Sequence, residues 1–186
     1  MTPQVVAPPL LTLAEFLGAH GHESHVDLVR GRLVRFPMPG SEHGRICGKV
    51  SRILGNFADD HDLGHVLTND TFIRLSAEPP TVRGADIAFI SYARLPRGPL
   101  GSGPLEVMPE LVVEVRSPSD RRGTSLAKIA DYLVAGVPVV MVVDPALEAV
   151  ALYRGDELPQ RLHNGDELTL PDILPGFSVP VKRFFE

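Results

Sequence analysis

The sequence predicts an α/β fold, at the borderline with α+β, in which helices flank a mixed β-sheet within one domain (residues 1–186). Three observations lead to this prediction. Residues 110–117, 125–135 and 137–143 have the patterns of strand, helix and strand, a crossover that makes the two strands parallel neighbours. Hairpin patterns precede and follow this crossover, as additional N-terminal and C-terminal hairpins. The chain has 186 residues, 44% of them apolar, which is enough for one sizeable core.

The N-terminal region is predicted to contain an extended arm, a short helix and a hairpin. Residues 1–11 are apolar and rich in proline, which favours the arm. Thr12 and Glu15 have the spacing of a capping box, so a short helix begins after Thr12. Residues 26–36 contain two apolar segments around residues 30–31, and this pattern predicts a hairpin that turns there.

A long amphipathic helix is predicted to begin at Ser41, whose side chain suits an N-cap. Apolar residues recur on one face with helical spacing: Ile46, Val50, Ile53, Leu54 and Phe57. Glu42 and His43 lie in the first turn, where a carboxylate interacts favourably with the helix dipole. Cys47 is the single cysteine, which excludes an internal disulfide and a zinc site built from cysteines. We expect it to be a buried structural thiol.

Two short strands and a longer one are predicted to follow the long helix. Residues 64–69 and 71–75 have strand composition with a tight turn between them. The next strand, residues 84–91, carries a carboxylate, Asp86, inside an apolar run. Residues 94–109 are rich in proline and glycine, which predicts a loop.

The strand over residues 110–117 is dense in valine, as buried strands are, yet it carries Glu114 in its middle. In the following helix an apolar repeat predicts a core face made of Leu126, Ile129, Ala130 and Leu133. Lys128 points away from that face at about 100° per residue, so periodicity alone predicts a solvated lysine.

The C-terminal region is predicted to be mostly β-structure. Residues 149–154 and 158–162 form antiparallel strands, and residues 164–165, Asn-Gly, have the composition of a hairpin turn. The tail, residues 168–185, is expected to pack across the edge of the sheet.

Asp86 and Glu114 are both carboxylates within apolar strands, and a buried charge is costly unless it is paired. If the two strands are adjacent, the carboxylates meet on one face and suit a hard divalent ion, Mg²⁺ or Mn²⁺. Such an ion lowers the pKa of a bound water and stabilises a transferring phosphoryl group. The alternative is that each carboxylate pairs with an arginine, Arg83 or Arg116, or lies at an exposed strand edge.

A family resemblance adds to these observations. Asp86, Glu114 and the two-residue step to Arg116 resemble the PD-(D/E)XK nuclease pattern. Further motifs resemble the Uma-two-type family of putative restriction endonucleases in that superfamily: residues 109–115, 117–119, 136–138, 144–145 and 174–177, with His43, Lys128 and Tyr132. The resemblance covers about residues 10–185.

The resemblance implies a restriction-endonuclease-like core and a metal-dependent endonuclease that hydrolyses phosphodiester bonds of DNA, with Mg²⁺ or Mn²⁺ as cofactor. By position, Asp86 and Glu114 would bind the metal, together with the carbonyl group of Val115. Lys128 would orient or activate the attacking water and offset phosphate charge. Accessory roles would fall to Glu42, His43, Arg116 and Tyr132.

Several positions depart from the family pattern, including Thr124, where an acidic residue is common, and residues 139–141, where the family is rich in aromatic residues. Ala85 stands where a proline is usual, and Arg116 stands two residues after the glutamate. An arginine is effectively always protonated, so it is a poor base, although it can hold a phosphate. The alternative functions are therefore a catalytically attenuated nucleic-acid-binding or regulatory protein of the same fold, or a homodimeric partner-binding protein.

Composition limits the classes of partner. The formal net charge is −5, so the overall field gives no help in binding nucleic acid, and a local basic patch or a bridging metal is needed. We see no signal peptide and no apolar run of membrane-spanning length, so we expect a cytoplasmic protein without a membrane partner.

Overall fold

The computed structural model describes residues 9–117 and 122–186. The helices are α1 (Leu13–His20), α2 (Ser41–Asp60) and α3 (Arg122–Val134), with a 3₁₀ turn at Val181–Phe184. The strands are β1 (Val26–Val29), β2 (Arg32–Arg35), β3 (Gly64–Ala77), β4 (Pro80–Ser91), β5 (Leu111–Val115), β6 (Val139–Asp144), β7 (Ala149–Tyr153), β8 (Gln160–His163), β9 (Glu167–Thr169) and β10 (Ser178–Pro180).

Within the described residues, eight strands form one mixed sheet in the order β2-β1-β4-β5-β6-β7-β8, with β3 also paired to β4. β5 and β6 are parallel, and the other neighbours in this sheet are antiparallel. α3 connects β5 to β6, which confirms the predicted crossover. The fold is therefore mixed α/β with a mostly antiparallel central sheet, as the sequence predicted.

The sheet is covered on both faces. α2 packs on one face through Ile46, Val50 and Leu54, which are fully buried with the inward residues of the sheet. α3 packs on the other face through Ile129 and Tyr132. None of the helices in the described ranges has both the length and the apolar character needed to cross a bilayer.

The N-terminal elements form as predicted. Thr12 and Glu15 make the reciprocal bonds of a capping box at the start of α1. β1 and β2 form a hairpin whose turn places Arg30 and Gly31 at positive φ, 50° and 75°. Of the predicted arm, residues 1–8 lie outside the described residues, and the Leu11 N–H donates to the Gly31 carbonyl at 2.7 Å.

The predicted pair of strands over residues 64–75 is wrong, because β3 is one continuous strand. Asn69 and Asp70 have φ values of 67° and 59°, and pairing with β4 shifts register there and then continues. The two residues therefore form a bulge rather than a turn. The Asn164–Gly165 hairpin is also wrong, since the turn links β8 to β9, which belong to different sheets.

The C-terminal tail packs against α2 and against β8, the edge strand of the sheet. Leu168, Leu174, Phe177 and Phe184 are buried in the same cluster as the apolar face of α2 and Leu162 of β8. The tail therefore contacts the sheet edge, as predicted, and also contributes to the core on the α2 side, where burial of apolar side chains is favourable.

The predicted core face of α3 is correct at Ile129 and Leu133, which pack in the core, and wrong at Leu126 and Ala130. Leu126 is 55% exposed and Ala130 is exposed, whereas Ile129 and Tyr132 are buried. Lys128 faces the sheet as well, because its ammonium group finds a partner there. At α2 the start is as predicted, but the N-cap is Gly40, without a side-chain cap bond, rather than Ser41.

Candidate active site

A cleft of about 90 Å³ opens where β4 and β5 approach the first turn of α2 and the first half of α3. It contains most of the polar residues singled out in the sequence. Its lining includes His25, Asp27, Phe36, Pro37, Pro39, His43, Asp70, Asp86, Glu114, Val115, Arg116, Ser117, Lys128, Ile129 and Val142.

Asp86 and Glu114 reach this cleft from adjacent antiparallel strands. The ladder between β4 and β5 ends at the pair of Ile87 and Val113, and the two carboxylates follow directly after it. The Val115 N–H donates to Asp86 Oδ2 at 2.7 Å. The strand pairing thus brings both carboxylates to the same end of the β4–β5 ladder and to the same cleft.

Glu114 is held by two side chains of α3. Lys128 Nζ donates to Glu114 Oε2 at 2.8 Å, and Tyr132 Oη lies 3.0 Å from Glu114 Oε1. Both partners follow from the helix geometry, since residues four apart lie on one face. The lysine that periodicity predicted to be solvated is therefore the counter-charge of the buried glutamate.

The arginine pairing that the sequence left open is wrong. Within the described ranges, the recorded partners of Arg83 are Asp27 and Asp131, and Arg116 Nη1 donates to Asp144 Oδ2 at 2.7 Å. Arg116 still lines the cleft, so its charge remains close to a ligand that enters there.

The environments of the two carboxylates push their pKa values apart. Burial raises the pKa of Glu114 to about 8, although the Lys128 ammonium opposes the shift. Burial also acts to raise the pKa of Asp86, but the His43 hydrogen bond, the Lys128 charge and the Val115 N–H outweigh it and hold that pKa below the usual value. The cleft therefore holds one readily ionised carboxylate and one that keeps its proton to higher pH.

Tyr132 links Glu114 to the neighbouring strand β4. Tyr132 Oη lies 3.1 Å from the Gly84 carbonyl and donates to Glu114 Oε1 at 3.0 Å. A phenol has one proton to donate, so that proton lies between two acceptors. Donation to Glu114 favours the ionised carboxylate and, like the Lys128 ammonium, opposes the effect of burial on the pKa of Glu114.

Lys128 stays a cation in this site. Burial acts to lower its pKa, but the nearby charges of Glu114, Asp27 and Asp86 outweigh burial and raise the pKa above the usual value. A lysine must be neutral to accept a proton. The environment therefore suits charge stabilisation and the orientation of a ligand, and it does not suit a general base.

A buried ion-pair network beneath the cleft escaped the sequence reasoning. Arg83 Nη1 donates to Asp27 Oδ2 at 2.8 Å, and its Nε donates to Asp131 at 3.1 Å. Asp27 Oδ1 accepts from the Gly84 N–H at 2.9 Å. The network ties β1 and α3 to the segment of β4 that leads into Asp86. Its signal was present in the sequence, since Asp27 is a third carboxylate within an apolar strand.

Two residues of α2 differ in their relation to the cleft. His43 Nε2 lies 3.3 Å from Asp86 Oδ2, so His43 contacts the site directly. Glu42 points elsewhere and pairs with Arg45 at 2.7 Å on the surface, and it is not part of the lining. Of the four expected accessory residues, three therefore lie at the site (His43, Arg116 and Tyr132), and Glu42 does not.

Cys47 lies one turn after His43 and is half-buried rather than fully buried. Its Sγ is 3.5 Å from His43 Nδ1. Burial, with the charges of Asp86 and Glu114, raises the pKa of the thiol well above its usual value. The expected buried structural thiol is therefore only partly buried, and it contacts a residue of the cleft.

Comparison with known proteins agrees with the fold and with the motifs. The family Uma2, described as "Putative restriction endonuclease", matches residues 13–182. A crystal structure described as a putative nuclease belonging to DUF820 from Anabaena variabilis superposes with a TM-score of 0.83 at 18% identity, covering 94% of this chain and 97% of that chain. No curated protein matches significantly. The chain therefore belongs to the Uma2 family, which its motifs indicated, and has a nuclease-like fold.

Proposed function

We propose that this protein is a Mg²⁺- or Mn²⁺-dependent endonuclease that hydrolyses phosphodiester bonds of DNA. The observation that carries the proposal is the meeting of Asp86 and Glu114, from adjacent strands, with the Lys128 cation in one cleft. Family membership supports the same reaction class. Plasmid cleavage that depends on the added ion is the experiment that tests it.

The donor set in the cleft fits a hard divalent cation. Asp86 and Glu114 supply carboxylate oxygens, and Val115 supplies a backbone carbonyl group from the end of β5. Oxygen ligands of this kind are those that Mg²⁺ and Mn²⁺ prefer. When bound, the ion would lower the pKa of a coordinated water and offset negative charge on the phosphate.

The side chains around the carboxylates have separate roles in this proposal. Lys128, held as a cation, binds a phosphate oxygen and orients the attacking water. Tyr132 and the Val115 N–H fix the orientation of Glu114 and Asp86. His43 holds Asp86 from the α2 side, and Arg116, partly exposed at the cleft, binds a flanking phosphate.

Charge gives the ion a second role. The chain has a net charge of −5, and carboxylates line the cleft, so both repel the DNA backbone. A divalent cation between Asp86 and Glu114 would remove the local repulsion. DNA that binds with the ion but is not cleaved would indicate the attenuated binding protein that the sequence left as an alternative.

Binding of Mn²⁺ is expected to strengthen as the pH rises. Since the pKa of Glu114 is raised to about 8, an incoming ion displaces a proton below that pH. One displaced proton predicts an affinity that rises about tenfold per pH unit towards pH 8 and then levels off. Calorimetric titration in two buffers of different protonation enthalpy measures affinity and proton release together. Equally weak Mn²⁺ binding by the native protein and an Asp86→Ala/Glu114→Ala variant would contradict the proposed metal site.

Replacement of Lys128 by methionine is expected to lower the cleavage rate about 10²–10³-fold, the effect of losing one donor that stabilises transition-state charge. Mn²⁺ should still bind, because the carboxylates remain. Nicking of supercoiled plasmid, measured at saturating Mn²⁺, checks the rate. Unchanged cleavage by Lys128→Met would exclude the lysine from the mechanism.

We also propose that residues 1–186 act as one domain and that the protein is a cytoplasmic homodimer. A two-fold assembly would present two clefts to the two strands of a duplex. Sedimentation equilibrium of the purified chain distinguishes a dimer from a monomer.

A further inference from the structure

Three side chains at the α2 side of the cleft form a cluster that the proposed hydrolysis does not use as a unit. His43, Cys47 and Asp86 each offer one ligand atom, and these atoms all lie within 4.8 Å of one another. His43 and Cys47 are four residues apart on α2 and so share one face of the helix. Asp86 faces them from β4.

The distances in this cluster match tetrahedral zinc coordination. Zinc bonds of about 2.0 Å to nitrogen and oxygen and about 2.3 Å to sulfur place N and O about 3.3 Å apart, and S and N about 3.5 Å apart. His43 Nε2 is 3.3 Å from Asp86 Oδ2 and 3.9 Å from Cys47 Sγ. The third distance, from Cys47 Sγ to the Asp86 carboxylate, is below 4.8 Å, so an ion that binds all three atoms draws the sulfur inward.

The ligand types differ from those of the hard-metal pair. A thiolate and an imidazole are soft or borderline ligands that Zn²⁺ accepts well and Mg²⁺ does not. The carboxylate of Asp86 serves either ion. His43 and Asp86 line the cleft, and three protein ligands leave a fourth position for water on that side, the arrangement of an open rather than a closed zinc site.

We propose that His43, Cys47 and Asp86 form a second cation site, selective for Zn²⁺ and similar thiophilic divalent ions. Binding forms the Zn–S bond while the Cys47 thiol releases its proton to solvent. Because Asp86 belongs to both sites, Zn²⁺ and the hard ion exclude each other there. Zn²⁺ therefore inhibits the Mn²⁺-dependent reaction, and this inhibition, unlike the zinc binding itself, rests on the proposed function.

Cobalt spectroscopy of the full chain tests the binding directly. Co²⁺ substitutes for Zn²⁺, and a cobalt–thiolate bond gives a charge-transfer band in the near ultraviolet. The chain has one cysteine, so such a band can only come from Cys47. We expect the band to saturate at one Co²⁺ per chain, to disappear when Zn²⁺ is added, and to be absent in Cys47→Ser and Cys47→Ala.

Glu114→Gln is the matched control, because it removes a ligand of the hard-metal pair and leaves the three soft-site ligands. We expect it to keep the cobalt–thiolate band. A native protein without the band at saturating Co²⁺ would overturn the proposal, and so would a band that persists in both Cys47 variants.

The functional consequence has its own measurement. In Mn²⁺-dependent plasmid cleavage, Zn²⁺ is expected to inhibit competitively with Mn²⁺, and Cys47→Ser should need at least about tenfold more Zn²⁺ at unchanged uninhibited activity. Equal inhibition of the native protein and Cys47→Ser by Zn²⁺ would contradict the proposed competition between Zn²⁺ and Mn²⁺ for Asp86. If the protein cleaves no DNA but the band appears, the proposed function fails and the zinc site stands.

Discussion

Asp86→Asn is expected to abolish measurable DNA cleavage, lowering the rate by at least about a thousandfold. Asp86 is the carboxylate whose pKa is held low, so it is the ionised ligand at neutral pH. Losing it removes about 4 kcal/mol of charge stabilisation, which corresponds to about three orders of magnitude in rate. The amide oxygen can still accept the Val115 N–H, so the backbone arrangement is kept.

The experiment compares single-turnover plasmid cleavage in saturating Mn²⁺ for three proteins. Glu42→Gln is the matched control, since Glu42 lies on the same helix as His43 but pairs with Arg45 on the surface. We expect Glu42→Gln to cleave at the native rate. Native-like cleavage by Asp86→Asn, with an unchanged circular dichroism spectrum, would show that the cleft is not the catalytic site.

Arg83→Met is expected to be strongly destabilising, costing about 3–5 kcal/mol of unfolding free energy. Arg83 is 3% exposed and Asp27 is 2% exposed. Without the guanidinium group, Asp27 is a buried carboxylate that lacks its charge partner, and Asp131 loses its partner as well. The loss of stability comes from these carboxylates without a charge partner rather than from lost packing, because methionine fills a similar volume.

Urea unfolding of Arg83→Met and two companion variants measures this effect. Arg45→Met breaks an exposed arginine–glutamate pair and two surface hydrogen bonds to the carbonyls of Phe185 and Glu186, and it should change the midpoint little. Arg83→Met/Asp27→Asn removes the stranded charge and should recover part of the loss. A midpoint for Arg83→Met equal to that of Arg45→Met would contradict the role of the buried network.

Hydrogen bonds of Gly84 connect the buried ion-pair network to the cleft. Gly84 accepts from Tyr132 through its carbonyl and donates to Asp27 through its N–H. Its position also excludes a side chain, because an added Cβ would lie 2.2 Å from Asp70 Oδ1. Two hydrogen bonds thus hold the backbone two residues before Asp86. A site built from precisely placed side chains depends on such support.

The sequence by itself determined the mixed α/β class, the β5–α3–β6 crossover, the capping box of α1 and the family. These features depend on local periodicity, turn chemistry and motif order, all of which can be read from the sequence. Asp86 and Glu114 stood out for the same local reason, since each interrupts an apolar strand. The departure at Arg116 was also visible, but its partner, Asp144, was not.

Only the tertiary structure decided which charges pair. Lys128 belongs to Glu114, and Arg83 belongs to Asp27, 56 positions away in the chain. Periodicity describes the average polarity of a helix face, so it placed Lys128 in solvent. A buried charge is tolerated only through a specific partner, and that partner is chosen by strand pairing and helix packing between distant segments. The cluster of His43, Cys47 and Asp86 arises in the same way.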